Sequence, residues 1–164
     1  FILQWAPLLV SETHGDPVLG ANYSAWFSYG GVIGGMTAGY LCGTLGVKRV
    51  MWVTMLAMGG LTALFGQLVG DTTAVLVVAP FIGAALFGSA TANWLTIAYA
   101  FPPQLRATGL GFATTAGRVG AVSGPAIGGM LLDSGMALAA VCVVMGVPAL
   151  LSALTFSRAR RVAQ

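Results

Sequence analysis

The sequence predicts an all-α membrane protein, a bundle of five complete helices and part of a sixth. Three observations predict it. The chain is 57% hydrophobic and 7% charged, with a mean hydropathy of +0.90, whereas soluble domains carry roughly 25% charged residues. Its apolar residues fall into runs of about twenty, the length a helix needs to cross the hydrocarbon core of a bilayer. Its charges sit at the breaks and alternate in sign from one break to the next, with a single exception. The net charge of +3 therefore gives no reason to expect nucleic acid as a partner.

The runs can be taken in order. Residues 1–10 (FILQWAPLLV) are too short to span and read as the outer end of a helix begun upstream, so the chain reads as a fragment. Residues 11–20 (SETHGDPVLG) read as a polar, acidic loop. His14 in such a loop reads as solvated, with pH sensing as the alternative. The first complete span is 22–42, with Gly31, Gly35, Gly39 and Gly43 every fourth residue. That spacing puts small residues on one helix face, where another helix backbone can approach closely. Trp26 and Tyr29 in its outer half read either as interface anchors or as a wall of a substrate cavity.

A tight loop from Gly43 through Gly46 to Lys48 and Arg49 precedes the second span, 50–69. A turn carrying Asp71 leads to the third, 74–101, where Pro80 predicts a kink. Ser89, Thr91, Asn93 and Thr96 make its inner half polar. The amide of Asn93 must find a partner in lipid, either another helix or a ligand. Pro102 and Pro103 end that span.

The fourth span, 109–132, holds the exception. Arg118 stands about ten residues inside it, roughly 15 Å deep at 1.5 Å per residue. Charge at that depth is costly and marks a functional-site candidate; the alternative is a structural arginine bonded to carbonyls or an acid. Thr114 and Thr115 precede Arg118 by about one turn. Gly120, Gly124 and Gly128 repeat the four-residue stripe, and Pro125 predicts a bend. The last span is 136–156, followed by a basic tail with Arg158, Arg160 and Arg161.

Lys48, Arg49, Arg106 and the tail cluster thus fall at one set of ends, and Glu12, Asp16, Asp71 and Asp133 at the other. Basic loops stay cytoplasmic, which orients the bundle with its C-terminus inside. The two glycine-striped spans are the middle members of two groups of three, running in opposite directions. This is the plan of inverted three-helix repeats. Cys42 and Cys142 form no motif, and neither a metal nor a cofactor is expected. No Ser/His pair, metal-ligand set or paired carboxylates lie within the spans, so the chain is not expected to be an enzyme.

At this point the residues resemble a family. Phe101-Pro102, Arg106-Ala107-Thr108-Gly109, Gly117-Arg118, Gly124-Pro125 and Gly128-Gly129, with Trp5-Ala6-Pro7 and the loop Gly39–Arg49, are similar to the C-terminal half, helices seven to twelve, of a major facilitator superfamily transporter. The closer likeness is to the aromatic acid:proton symporter branch. The resemblance implies a six-helix half-bundle, its first helix truncated, that rocks against an N-terminal half to move a small organic anion with a proton. The membrane implied is a bacterial inner membrane. It implies that Arg118 holds a carboxylate while Asn93, Trp94, Thr114, Thr115, Tyr29 and Trp5 surround the ligand. Gly39, Gly46, Lys48, Arg49 and Arg106 would form the cytoplasmic loops, with Arg106 read as a topology and helix-end group and gating against an N-half carboxylate as its alternative, and Gly31, Gly35, Gly120, Gly124 and Gly128 the packing stripes. Gly43 and Thr44 stand where the family carries an acid followed by an arginine, and Phe101 where it more often has tyrosine. The family's acidic pair would lie in the upstream half. Two alternatives stand beside this reading: a sugar or other metabolite carrier of the same superfamily, and a non-transporting assembly or sensor module.

Overall fold

The computed structural model describes residues 2–158, with side chains through Pro148 and at Leu151. The described residues form six helices and no strand: α1 (Ile2–His14), α2 (Pro17–Leu45), α3 (Val47–Leu68), α4 (Thr72–Ala100), α5 (Arg106–Asp133) and α6 (Leu138–Arg158). The tail residues Arg160 and Arg161 and the side chain of Arg158 lie outside what is described.

The breaks are shorter than the sequence suggests. The acidic loop expected over 11–20 shrinks to Gly15 and Asp16. Its polar residues extend α1 instead, because their side chains fold back on the helix. Ser11 Oγ donates to the Leu8 carbonyl at 2.8 Å, and Thr13 Oγ1 to that of Leu9 at 2.7 Å. His14 Nδ1 lies 3.1 Å from the Val10 carbonyl. Asp16 then caps α2, its Oδ1 accepting the Val18 N–H at 2.9 Å, with Pro17 in the first turn. Asp71 caps α4 in the same way, accepting from Thr73 and Ala74. Carboxylates in these positions satisfy otherwise unpaired N–H groups and suit the positive helix end.

The expected loop Gly43–Arg49 is likewise one residue. Gly46, at φ 86°, alone separates α2 from α3. That left-handed backbone suits glycine. Lys48 and Arg49 therefore stand in the first turn of α3, and Arg106 opens α5. Cations at the positive end of a helix are unfavourable, by up to about 1 kcal/mol each. Helix stability does not account for their position.

The bundle is pulled together by α2 and α4. A Cβ placed on Gly30 would meet the backbone of Pro80, one on Gly34 the backbone of Ala84, and one on Gly83 the carbonyl of Phe27. The closest approach thus uses Gly30 and Gly34, one position before the expected Gly31/Gly35 pair. Gly31 receives the Phe87 ring, Gly35 and Gly39 look toward Thr91, and Gly43 meets nothing. A second seam joins α3 to α6, with Gly66 against Cys142 and Ala139, and Gly146 against the Gly59 carbonyl.

Two apolar cores lie along these seams. One gathers Ile2, Ala6, Val10, Tyr23, Phe27, Phe65, Ala79, Ile82 and Cys142 toward the acidic end. The other gathers Ala38, Cys42, Val50, Met51 and Ala92 toward the basic end. Neither takes a buried residue from α5, in which only Gly109 and Gly128 are buried.

The exterior is apolar. Tyr29, Val32, Ile33, Met36, Tyr40, Phe112, Val119 and Val122 are all exposed. Patches of this kind call for lipid or further helices against them. By length and hydropathy α3 and α4 are apolar enough to cross a membrane. Glycine and hydroxyl residues dilute α2 and α5.

Candidate functional site

Arg118 lies twelve residues from the start of α5 and fifteen from its end, about 18 Å and 22 Å along the axis. It stands near the middle of the helix. Arg118 is exposed, and among the described residues it forms neither an ion pair nor a hydrogen bond. It is not sealed among backbone carbonyls. Two of the acids that might have neutralised it, Asp16 and Asp71, are occupied as caps at helix ends.

The other residues singled out from sequence fall at three levels. Tyr29 lies about 18 Å from the acidic end of α2, close to the level of Arg118. Its ring stands edge-on to Trp26, with centroids 6.4 Å apart. Asn93 and Trp94 are exposed on α4, roughly 10 Å from its basic end, and Thr114 and Thr115 lie about 12–14 Å from the basic end of α5. These four share a level one to two turns below Arg118. Trp5 is at a third level, toward the acidic end, where its indole lies over Gly129 of α5. The seven candidates span more than 20 Å along the bundle by the same rise per residue. One small aromatic acid cannot touch them all.

Hydrogen bonding sorts them further. Thr114 Oγ1 donates to the Leu110 carbonyl at 2.7 Å and Thr115 Oγ1 to that of Gly111 at 2.9 Å. A hydroxyl used in this way keeps lone pairs and can still accept. It suits a phenol or an N–H donor, not a carboxylate. The guanidinium has the opposite character, with five donors in a fork that matches a carboxylate.

The glycines nominated on α5 behave unequally. Gly128 is buried and Gly124 half-buried, whereas nothing lies within 4 Å of a Cβ built at Gly117 or Gly120. At the basic end, the Phe101 ring packs on Gly109, closing the corner between α4 and α5. A small cleft of about 70 Å³ between α1 and α2, lined in part by Leu3, Pro7, Ser24 and Ser28, holds none of the nominated residues. Sequence reasoning gave Gly129, Val122 and Pro125 no place beside Arg118, although it noted Gly129 and Pro125. The signal was present in their 11-, 4- and 7-residue spacings from Arg118, which put all of them near its face of the helix.

An apolar exterior around long, glycine-seamed helices, with a lone cation halfway along one of them, defines the class as a membrane-embedded helix bundle. The family follows from comparison. The model of the Major Facilitator Superfamily matches residues 1–163, and the chain belongs to that superfamily. It is accordingly an integral membrane protein of a transporter family, not an enzyme. Among curated relatives, the 4-hydroxybenzoate transporter PcaK of Acinetobacter baylyi is 27% identical over 93% of this chain and 34% of its own length. The gallate transporter of Pseudomonas putida is 30% identical over 92% of this chain and 33% of its own. The gentisate transporter of Corynebacterium glutamicum is 28% identical over 93% and 34%. The chain spans about one third of the length of these relatives. No solved structure matches it.

Proposed function

We propose that this chain is the C-terminal half-bundle of a proton-coupled symporter for small aromatic carboxylates, set in a bacterial inner membrane with its basic end and C-terminus cytoplasmic. The observation that carries the reading is Arg118, without a partner among the described residues near the middle of α5. Three similar proteins, each named for the transport of a hydroxylated aromatic acid, support the substrate class.

In this reading the six helices form two inverted three-helix repeats, and the half-bundle rocks against an N-terminal half around a site near the midplane. Arg118 takes the carboxylate in its planar fork. Tyr29, at the same level, packs the ring. Thr114, one turn toward the basic end, accepts from a ring hydroxyl with the lone pairs left by its bond to Leu110. Asn93 and Trp94 border the ligand on that side. Lys48, Arg49 and Arg106 hold the basic end at the cytoplasmic surface by the positive-inside rule. The acids of the chain lie at helix ends, with Asp16 and Asp71 engaged as caps. The proton is therefore assigned to a carboxylate of the N-terminal half.

Uptake of radiolabelled 4-hydroxybenzoate by the full-length protein tests the reading. Arg118→Ala should abolish uptake at normal expression and Arg118→Lys should retain part of it. Undiminished uptake by the Ala variant would remove Arg118 from the site.

A further inference from the structure

Tyr23 is closed over by the bundle, with 1% of its surface exposed. Its hydroxyl oxygen is buried and has no hydrogen-bond partner among the described residues. The atoms that bury it belong to this chain, so a further bundle packed outside would not reach it. Its ring lies against Phe27 and Phe65, with centroids 6.1 Å and 5.7 Å away, and neither offers an acceptor. A hydroxyl left unpaired in such surroundings is costly.

Tyr23 also lines the cleft between α1 and α2, and polar groups stand there. Leu3 and Pro7 line it from α1, Ser24 and Ser28 from α2. Pro7 has no N–H, so the Leu3 carbonyl lacks its helix donor. Ser24 Oγ donates to the Gly20 carbonyl at 3.0 Å and Ser28 Oγ to the Ser24 carbonyl at 2.7 Å. Each serine oxygen keeps lone pairs that can accept. Gly20 sets the register, since a Cβ there would lie 2.6 Å from the Pro7 carbonyl oxygen. The two helices are joined by a two-residue break and run antiparallel. One turn back along α1 and one turn on along α2 bring Leu3 level with Ser24, beside Tyr23.

The cleft wall thus holds a donor that lacks an acceptor and acceptors that lack a donor. One water satisfies both kinds. It accepts the Tyr23 O–H and donates to the Leu3 carbonyl and to a serine oxygen, about three bonds, as is usual for a buried water. The volume of about 70 Å³ exceeds the roughly 10–15 Å³ a water needs. It is far below the roughly 300 Å³ at which pockets for organic ligands begin.

We propose that this cleft is a buried water site, and that the water ties α1 to α2 at the proline break by joining the Tyr23 hydroxyl to the Leu3 carbonyl. The site is separate from the one at Arg118 and does not depend on it. Thermal unfolding of the full-length protein tests it. Tyr23→Phe should lower the midpoint by about 2 °C, because the water loses its donor. A hydroxyl that is truly unpaired predicts the opposite: its removal leaves the midpoint unchanged or raises it, and that result would overturn the site. Pro7→Ala supplies an N–H to the Leu3 carbonyl. In that background the effect of Tyr23→Phe should shrink to less than about half. An undiminished effect would overturn the bridge to Leu3. Uptake of 4-hydroxybenzoate by Tyr23→Phe should stay within about twofold of wild type, since the water lies outside the anion site. A roughly tenfold loss of uptake at an unchanged midpoint would assign Tyr23 to transport and overturn its role as a tie.

Discussion

Helices α2 and α5 are written in the same glycine pattern and are used in different ways. In α2 the glycines of the middle turns are occupied: Gly30 and Gly34 lie on the backbones of Pro80 and Ala84, and Gly31 lies under the Phe87 ring. In α5 nothing lies within 4 Å of a Cβ at Gly117 or Gly120, and Arg118 stands between them without a partner among the described residues. Four-residue glycine spacing makes a flat helix face but does not choose what meets it. The difference lies in what accompanies the glycines. Beside Gly30 and Gly34 stand Phe27 and Ala38, which fill a core. Beside Gly117 and Gly120 stands a guanidinium, which no apolar core accepts.

Substitutions can break this contrast. The largest effect is expected at Arg118. Arg118→Ala should lower uptake of 4-hydroxybenzoate at least about a hundredfold, the loss that follows when one partner of a desolvated charge pair is removed. The amount of folded protein, read by fluorescence-detected gel filtration, should not change. Next come the seams. Gly34→Leu must displace the α4 backbone at Ala84, at a cost of about 1–3 kcal/mol or more. It should lower the thermal midpoint by several degrees, whereas Gly120→Leu should leave the midpoint where it is. A loss of stability at Gly120 equal to that at Gly34 would erase the distinction between the two helices.

Two smaller effects sharpen it. Thr114→Val should reduce the preference for 4-hydroxybenzoate over benzoate, by up to about tenfold in competition uptake, because the phenol loses its acceptor. Asp71→Ala removes the cap of α4 and should cost about 1 kcal/mol of stability with little change in KM. A large KM effect from Asp71→Ala would bring that carboxylate into transport.

Much of the fold is legible in the sequence because its signals are local. Apolar runs, Pro102 and Pro103, Gly46 and the two capping aspartates mark helix positions within a few residues of where they fall. The loops around His14 and Lys48 are misjudged for a physical reason: polarity measures contact with water, not departure from the helix. Ser11 and Thr13 satisfy their hydroxyls on α1 itself and continue it. The register of the α2–α4 crossing is not legible. Gly30, Gly31, Gly34 and Gly35 are equally small, and the choice among them depends on where Pro80, Ala84 and Phe87 arrive from another helix. The same holds for the candidate site. Arg118 is conspicuous in one dimension, but that Trp5 meets α5 at Gly129, three turns away, depends on how α1 and α5 are placed in space.

The central claim is that the Arg118 guanidinium receives a carboxylate. The direct measurement compares equilibrium binding of 4-hydroxybenzoate and 4-hydroxybenzamide to the full-length wild type and to Arg118→Ala. The account predicts that the wild type favours the acid by about a hundredfold and that the variant binds both equally weakly. A variant that kept the wild-type preference for the acid would contradict it.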